Sequence, residues 1–150
     1  MLKITRETDY ALLIMTHLAK HEVAHSASQI ANECHLSPAF TSKILKILTK
    51  EKLLTSIRGS QGGYLLERKP ENITLLEIIV AIEGPMSINS CTDDHSSCDR
   101  SNNCDLTPHW ALINKILHRE FSNISLASLV ALPARDMQSE VIIPITKVTV

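Results

Sequence analysis

Residues 5–20 carry apolar side chains at helical spacing. Tyr10, Leu13, Ile14, His17 and Leu18 fall on one face, with no glycine or proline between them. A second helix is expected over 26–35. Ser26 and Gln29 have the spacing of a capping box, and Ala27, Ile30, Ala31 and Cys34 form one apolar face. Leu36 interrupts, and Ser37-Pro38 opens a third helix: a capping hydroxyl, then a proline at the first helical position, where its missing N–H costs nothing. Phe40, Ile44, Ile47 and Leu48 are its expected buried face, and Ser42, Lys43, Lys46 and Lys50 the opposite one. Two helices joined by a short turn behind a supporting helix make the helix-turn-helix layout.

The period then changes. Residues 54–57 and 64–66 read as short strands around Arg58-Gly59-Ser60-Gln61-Gly62-Gly63, which holds three of the four glycines. That is a hairpin with a bare tip, a wing. Thr74 and Glu77 form a second capping box before the apolar mass of Leu75, Leu76, Ile78, Ile79 and Ile82, and Gly84-Pro85 ends that helix. After Pro108 a long helix is expected, striped by Trp110, Ile113, Leu117, Phe121 and Ile124 and widened by Leu112 and Ile116. So wide an apolar arc asks for more partner than one small domain offers. Dimerisation is its natural use, and packing on its own domain the alternative. Residues 132–150, with β-prone positions broken by Pro144, read as a weakly ordered tail without assigned function.

The expected fold class is mostly α with a small β wing. A winged helix-turn-helix domain occupies 1–70, a polar loop (89–108) and dimerisation helices occupy 71–131, and the tail follows. At 150 residues the chain has the length of one ordinary domain. Its 44 % hydrophobic and 21 % charged residues are a globular composition. The net charge of −1 conceals a division: residues 1–70 hold ten Lys/Arg against six Asp/Glu, net +4, and residues 71–150 five against ten, net −5. No apolar run is long enough to span a bilayer, and the first residues lack a signal peptide's apolar core, so a cytoplasmic protein without membrane contact is expected. Only 3 % aromatics disfavours single-strand nucleic-acid binding, which relies on stacking.

Residues 89–105 contain no aliphatic side chain, yet hold Cys91, Cys98 and Cys104. A reducing cytosol disfavours disulfides. A bound metal or cluster would supply the core this loop lacks. Zinc usually takes closely paired cysteines, and the wider C-x6-C-x5-C spacing suits an iron–sulfur cluster better. Zinc, and three free thiols, stay open on spacing alone. Cys34 reads as a small core hydrophobe.

The basic half suggests a DNA surface. Arg58 at the wing tip suits a minor groove, Lys43 and Lys46 suit phosphates, and Ser42 and Gln61 can reach base edges or sugars. Ser37, Gly59 and Ser60 complete the candidate surface. An ordinary solvated helix face is the plain alternative.

The sequence resembles the Rrf-type (BadM-like) winged helix-turn-helix transcription regulators, which include IscR, NsrR and RirA. The matches are Thr8-Asp9-Tyr10-Ala11, Ser37-Pro38, the wing from Arg58 to Leu66, the cysteine triplet, and Ile124-Ser125-Leu126 after Trp110 in the long helix; they cover about residues 1–131. The opening and the wing look most like regulators of SUF iron–sulfur assembly operons. The resemblance implies a homodimer on double-stranded DNA with a palindromic operator, each recognition helix in a major groove. It implies a [2Fe-2S] or [4Fe-4S] cluster on Cys91, Cys98 and Cys104. The IscR branch has a histidine three residues after the last cysteine, where this chain has Thr107. The NsrR branch uses a first-helix aspartate of the partner subunit, and Asp9 matches it. Asp9 is therefore the favoured fourth ligand, His109 the second choice, and His95 lies within the loop. The function expected is a cluster-dependent, non-enzymatic DNA-binding regulator. The alternatives are a zinc-stabilised winged-helix module that binds protein, and a cluster-bearing redox protein.

Overall fold

Five of the six described helices begin where a hydroxyl takes up an orphan backbone amide. The computed structural model describes residues 4–59, 62–89 and 104–131. In α1 (Arg6–Leu18) Thr8 N donates to Thr5 Oγ1 at 3.4 Å. In α2 (Ala27–Glu33) the capping box is complete: Gln29 N donates to Ser26 Oγ at 3.3 Å, and Ser26 N to Gln29 Oε1 at 2.8 Å. Pro38 stands in the first turn of α3 (Pro38–Lys50), where Phe40 N donates to Ser37 Oγ at 3.4 Å. The box recurs at α4 (Leu75–Glu83), with Glu77 N to Thr74 Oγ1 at 3.2 Å and Thr74 N to Glu77 Oε2 at 2.8 Å. Between α3 and α4, β1 (Leu54–Ile57) and β2 (Gly63–Leu66) pair antiparallel, Leu54 opposite Leu66 and Ile57 opposite Gly63. A 3-10 turn over Pro70–Asn72 leads into α4, and α5 (Thr107–Asn123) and α6 (Leu126–Ala131) follow. At the start of α6, Ser128 N donates to Ser125 Oγ at 3.1 Å. The architecture is mostly helical with a two-stranded wing.

The helix ends are equally local. Leu36 N donates to Ala31 O at 2.8 Å and Leu53 N to Leu48 O at 2.9 Å. Each closure turns through a left-handed residue, His35 (φ 55°) after α2 and Lys52 (φ 57°) after α3.

One core serves the whole described chain. Ile14, Met15 and Leu18 of α1 pack with Ile30, with Ile44, Leu45 and Leu48 of α3, and with Leu54. Ile73, Ile78 and Leu126, from the second half of the sequence, belong to the same cluster and are 0 % exposed.

Three expectations change. The buried face of α1 runs through Ala11, Ile14, Met15 and Leu18, and Leu13 points outward. That of α3 runs through Thr41, Ile44, Leu45 and Leu48, while Ile47 is half-buried. α3 is enclosed by α1, α2, α4 and β1, which centres its buried arc there. Thr41 is tolerated inside because its hydroxyl donates to Ser37 O at 3.0 Å. Third, the long helix begins at Thr107 and stops at Asn123, before Ile124-Ser125-Leu126. Ile124 and Ser125 are extended and Leu126 opens α6: Leu75 N donates to Ile124 O and Leu126 N to Ile73 O, each at 2.8 Å, across a Thr74–Ser125 bridge. Backbone pairing outcompetes one more helical turn, and it carries Leu126 into the core. The expected tail, residues 132–150, lies outside the described residues. No described helix is long and apolar enough to cross a membrane.

Candidate nucleic-acid interface and cysteine segment

The outward face of α3 carries Lys46 and Lys50, both exposed, with Ser42 half-buried beside them. Lys43 has a more constrained setting. Its Nζ lies 3.8 Å from Glu7 Oε1 and 5.8 Å from the centre of the Phe40 ring, which meets Tyr10 edge-on at 5.3 Å. The Lys43 side chain is still 59 % exposed, so a phosphate can compete for it against a screened surface pair. The Ser37 hydroxyl is the α3 cap.

The wing presents Arg58 and Gly59 to solvent, Gly59 at φ 123°. Ser60 and Gln61 lie outside the described residues. The base of the wing is fixed by an unexpected contact. His25 N donates to Tyr64 O at 3.1 Å, and Tyr64 N to His25 O at 2.8 Å. Gly63 lies so close to this bridge that a Cβ there would stand 2.4 Å from the His25 carbonyl oxygen. The wing is thus clamped to the α1–α2 connection.

Of the three loop cysteines, Cys91 and Cys98 lie outside the described residues, as does His95. Cys104 is a free, half-buried thiol whose carbonyl accepts from Thr107 N at 3.1 Å, at the entry to α5. His109 is exposed on α5, its Nδ1 3.1 Å from Asp105 O. Asp9 is exposed on α1. Among the described residues Asp9, Cys104 and His109 do not come together as one donor group within this chain. Cys34 is buried in the core, and burial pushes its thiol pKa up, with Glu33 adding to the rise.

The chain on either side of the cysteine segment is tied to the rest of the molecule. Met86 O lies 2.7 Å from His118 Nε2 of α5. At the end of α4, Glu83 Oε1 accepts from Thr5 N at 3.1 Å, from Thr5 Oγ1 at 2.6 Å, and from the hydroxyl of the buried Thr8. The Thr5 and Thr8 hydroxyls hold the Glu83 carboxyl below the usual carboxylate range. A carboxylate from α4 therefore sits at the positive end of α1.

α5 differs from every other long helix. It buries no residue, and Leu112, Ile113 and Ile116 are 58 %, 41 % and 42 % exposed.

Sequence reasoning missed one cluster. His17, His25 and Glu33 converge from the last turn of α1, the connection and the end of α2: Glu33 Oε2 lies 2.8 Å from His17 Nε2 and 3.3 Å from His25 Nδ1. Burial pushes the His17 pKa below its ordinary value, against the pull of Glu33, with His21, His25 and Lys20 adding to the fall. The visible signal is the four-residue spacing of His17, His21 and His25; helical periodicity alone assigns His17 to an apolar stripe.

Residues 4–132 match the family model of Rrf2, iron-dependent transcriptional regulator. The chain belongs to the Rrf2 family. Among its Rrf2-family relatives, protein rrf2 of Nitratidesulfovibrio vulgaris is 27 % identical over 130 residues, 85 % of this chain and 87 % of that one. The structure of CymR, the global cysteine regulator of B. subtilis, superposes with a TM-score of 0.69 at 31 % identity, covering 87 % of this chain and 98 % of that one. T. potens IscR superposes at 0.67 with 27 % identity and 87 % of each chain covered. The Rrf2 chain is thus a DNA-binding transcription regulator and not an enzyme.

Proposed function

We propose that this regulator acts as a homodimer on a palindromic operator and that an iron–sulfur cluster on Cys91, Cys98 and Cys104 sets its affinity for DNA. The observation that carries the dimer is α5, whose Leu112, Ile113 and Ile116 lie exposed with no core of their own. Cys104 stands at the start of that same helix, so the cysteine segment would lie at the edge of the dimer seam. The donor chemistry fits a cluster: Cys104 is a free, partly exposed thiol that needs no unfolding to ligate. Asp9 is the proposed fourth ligand, reaching from the partner subunit, which accords with its not forming one donor group with Cys104 and His109 within the chain. His109 is the second choice. When bound, the cluster supplies a redox- and iron-sensitive link between the thiolates.

The chain's own residues would do the rest. His118 ties the segment leaving α4 to α5, and Glu83 ties the end of α4 to the start of α1, which packs on α3. A change in the cysteine segment would then reach the recognition helix and wing through packed elements. On DNA, α3 would enter the major groove with Ser37, Ser42, Lys43 and Lys46, and Arg58, Gly59, Ser60 and Gln61 would meet the minor groove or backbone. SUF-type assembly genes are the proposed targets, and the cytoplasm the proposed compartment.

Iron and sulfide analysis of anaerobically purified protein, with optical spectra, tests this reading. Cys98→Ala should lose the cluster and alter operator affinity while keeping the helical signal. A colourless, iron-free protein with unaltered DNA binding would leave the cluster out of the function. The likeness to CymR, a cysteine regulator, gives that outcome its meaning: the same scaffold would then answer to another signal.

A further inference from the structure

The histidine cluster between α1 and α2 is independent of the cysteine segment. His17 Nε2, His25 Nδ1 and Glu33 Oε2 form a triangle with sides of 2.8, 3.3 and 3.4 Å, and among the described residues it is the group with the donor set for a metal ion. We propose that His17, His25 and Glu33 bind one borderline divalent cation of the zinc class and that this ion locks the wing to the helix-turn-helix.

Four observations support the site. First, the donor types are right: two imidazoles and a carboxylate are a common three-residue zinc set with a fourth position left for water or another ligand. Second, the spacing is right. A tetrahedral ion with bonds of about 2.0–2.1 Å sets its donors roughly 3.3 Å apart. Two sides of the triangle already have that length, and the third, now a His17–Glu33 contact, needs to open by about half an ångström. Third, a further imidazole stands beside the three donors, outside the group itself. The exposed His21 ring lies 4.8 Å from that of His17 and 4.6 Å from that of His25, one helical turn beyond His17 in sequence. Fourth, the donors come from three separate pieces of chain, and the imidazoles are largely screened, their side chains 16 % and 12 % exposed, while Glu33 at 47 % leaves an entry path. An ion there would be a cross-link and not a surface adsorbate.

The cross-link has a direction. His25 is the residue whose backbone pairs both ways with Tyr64, and whose carbonyl leaves no room for a side chain at Gly63. Fixing the His25 ring fixes the strand on which the wing rests. His17 holds α1, and Glu33 ends α2, which packs on α3. The ion would therefore set the angle between wing and recognition helix, and with it the fit to the two grooves.

The test uses the full chain with Cys91, Cys98 and Cys104 replaced by serine, so that loop thiols cannot contribute. Metal-free protein is titrated with Co2+ and then challenged with Zn2+. One Co2+ per chain should bind with visible ligand-field bands and no thiolate charge-transfer absorbance, and Zn2+ should displace it. Glu33→Gln and His25→Gln should each weaken binding by roughly tenfold or more. Glu33 is half exposed, so its variant should keep its circular dichroism whatever happens to His25→Gln. Zn2+ should also raise the Tm and the operator affinity of the parent but not of Glu33→Gln. No Co2+ binding by the parent, thiolate absorbance from Cys34, or equal binding by parent and Glu33→Gln would overturn the proposal. An iron-free wild-type protein would bear only on the cluster reading, since this titration is made without those cysteines.

Discussion

α3 and α5 are both amphipathic helices of several turns, and they end up in opposite conditions. α3 drives Ile44, Leu45 and Leu48 to zero exposure and turns its lysines outward. α5 buries nothing and leaves Leu112, Ile113 and Ile116 on the surface. The difference is one of enclosure. Three helices and β1 surround α3 on its own chain, whereas among the described residues α5 packs mainly along α4. The first helix completes a domain, and the second keeps an apolar face exposed among the described residues.

The largest expected effect is on the enclosed side. Leu45→Ala should destabilise the fold by about 2–5 kcal/mol, read by denaturant unfolding, because it opens a cavity in a core of side chains with no exposed surface. A loss below about 1 kcal/mol would mean that α3 is less tightly enclosed than it looks. Next comes the wing clamp. Gly63→Ala should weaken operator binding by tenfold or more while most helical signal persists, since the new methyl must displace the His25 carbonyl. The open side should respond differently. Ile116→Asp should shift the chain to monomer in sedimentation analysis and leave its circular dichroism unchanged. If that variant stayed dimeric, the seam would lie elsewhere and the contrast between the two helices would lose its point.

Smaller effects sharpen the picture further. Glu83 has its pKa lowered in the fold by the Thr5 and Thr8 hydroxyls. Its contribution is fully present above the ordinary glutamate value of about 4.3 and is lost as pH falls through the folded value. Glu83→Gln should therefore lower stability at neutral pH, leave the strongly acidic region nearly unchanged, and so flatten the acid limb of the stability–pH curve. The smallest change is His35→Gly. It relieves a left-handed residue at the close of α2 and should stabilise by about 0.5–1 kcal/mol, visible as a small rise in Tm.

Much of this was legible because the decisive interactions are short-range. Ser26 with Gln29, Thr74 with Glu77, and Ser37 before Pro38 place three helix starts within a residue, each by a bond spanning three positions. The hairpin register follows from glycines at the turn. Features set by distant residues were not legible. Leu13 and Leu18 look alike along α1, and only the position of neighbouring elements decides which is buried. Ile124-Ser125-Leu126 has good helical composition, yet α5 breaks at Ile124 and Ser125 because Ile73 and Leu75 offer backbone partners some fifty residues upstream. The same limit applies to the sites. The lysine face of α3 and Arg58 could be proposed from pattern as solvent-facing, and they are exposed, whereas the convergence of His17, His25 and Glu33 needs the α1–α2 connection folded against the wing.

The break between α5 and α6 at Ile124 and Ser125 also bears on how the chain is made. Leu126 fills the core that α1, α3 and the turn before α4 leave between them. A nascent chain that has finished α4 has the helix-turn-helix and the wing but lacks this plug. About 40 further residues separate the two, on the order of 2–8 s of synthesis at ordinary rates. During that interval the reading head is assembled and unsealed. The residues that seal it arrive only after α5 has been made, so the tight winged helix-turn-helix unit and the helix with the exposed apolar face reach completion together.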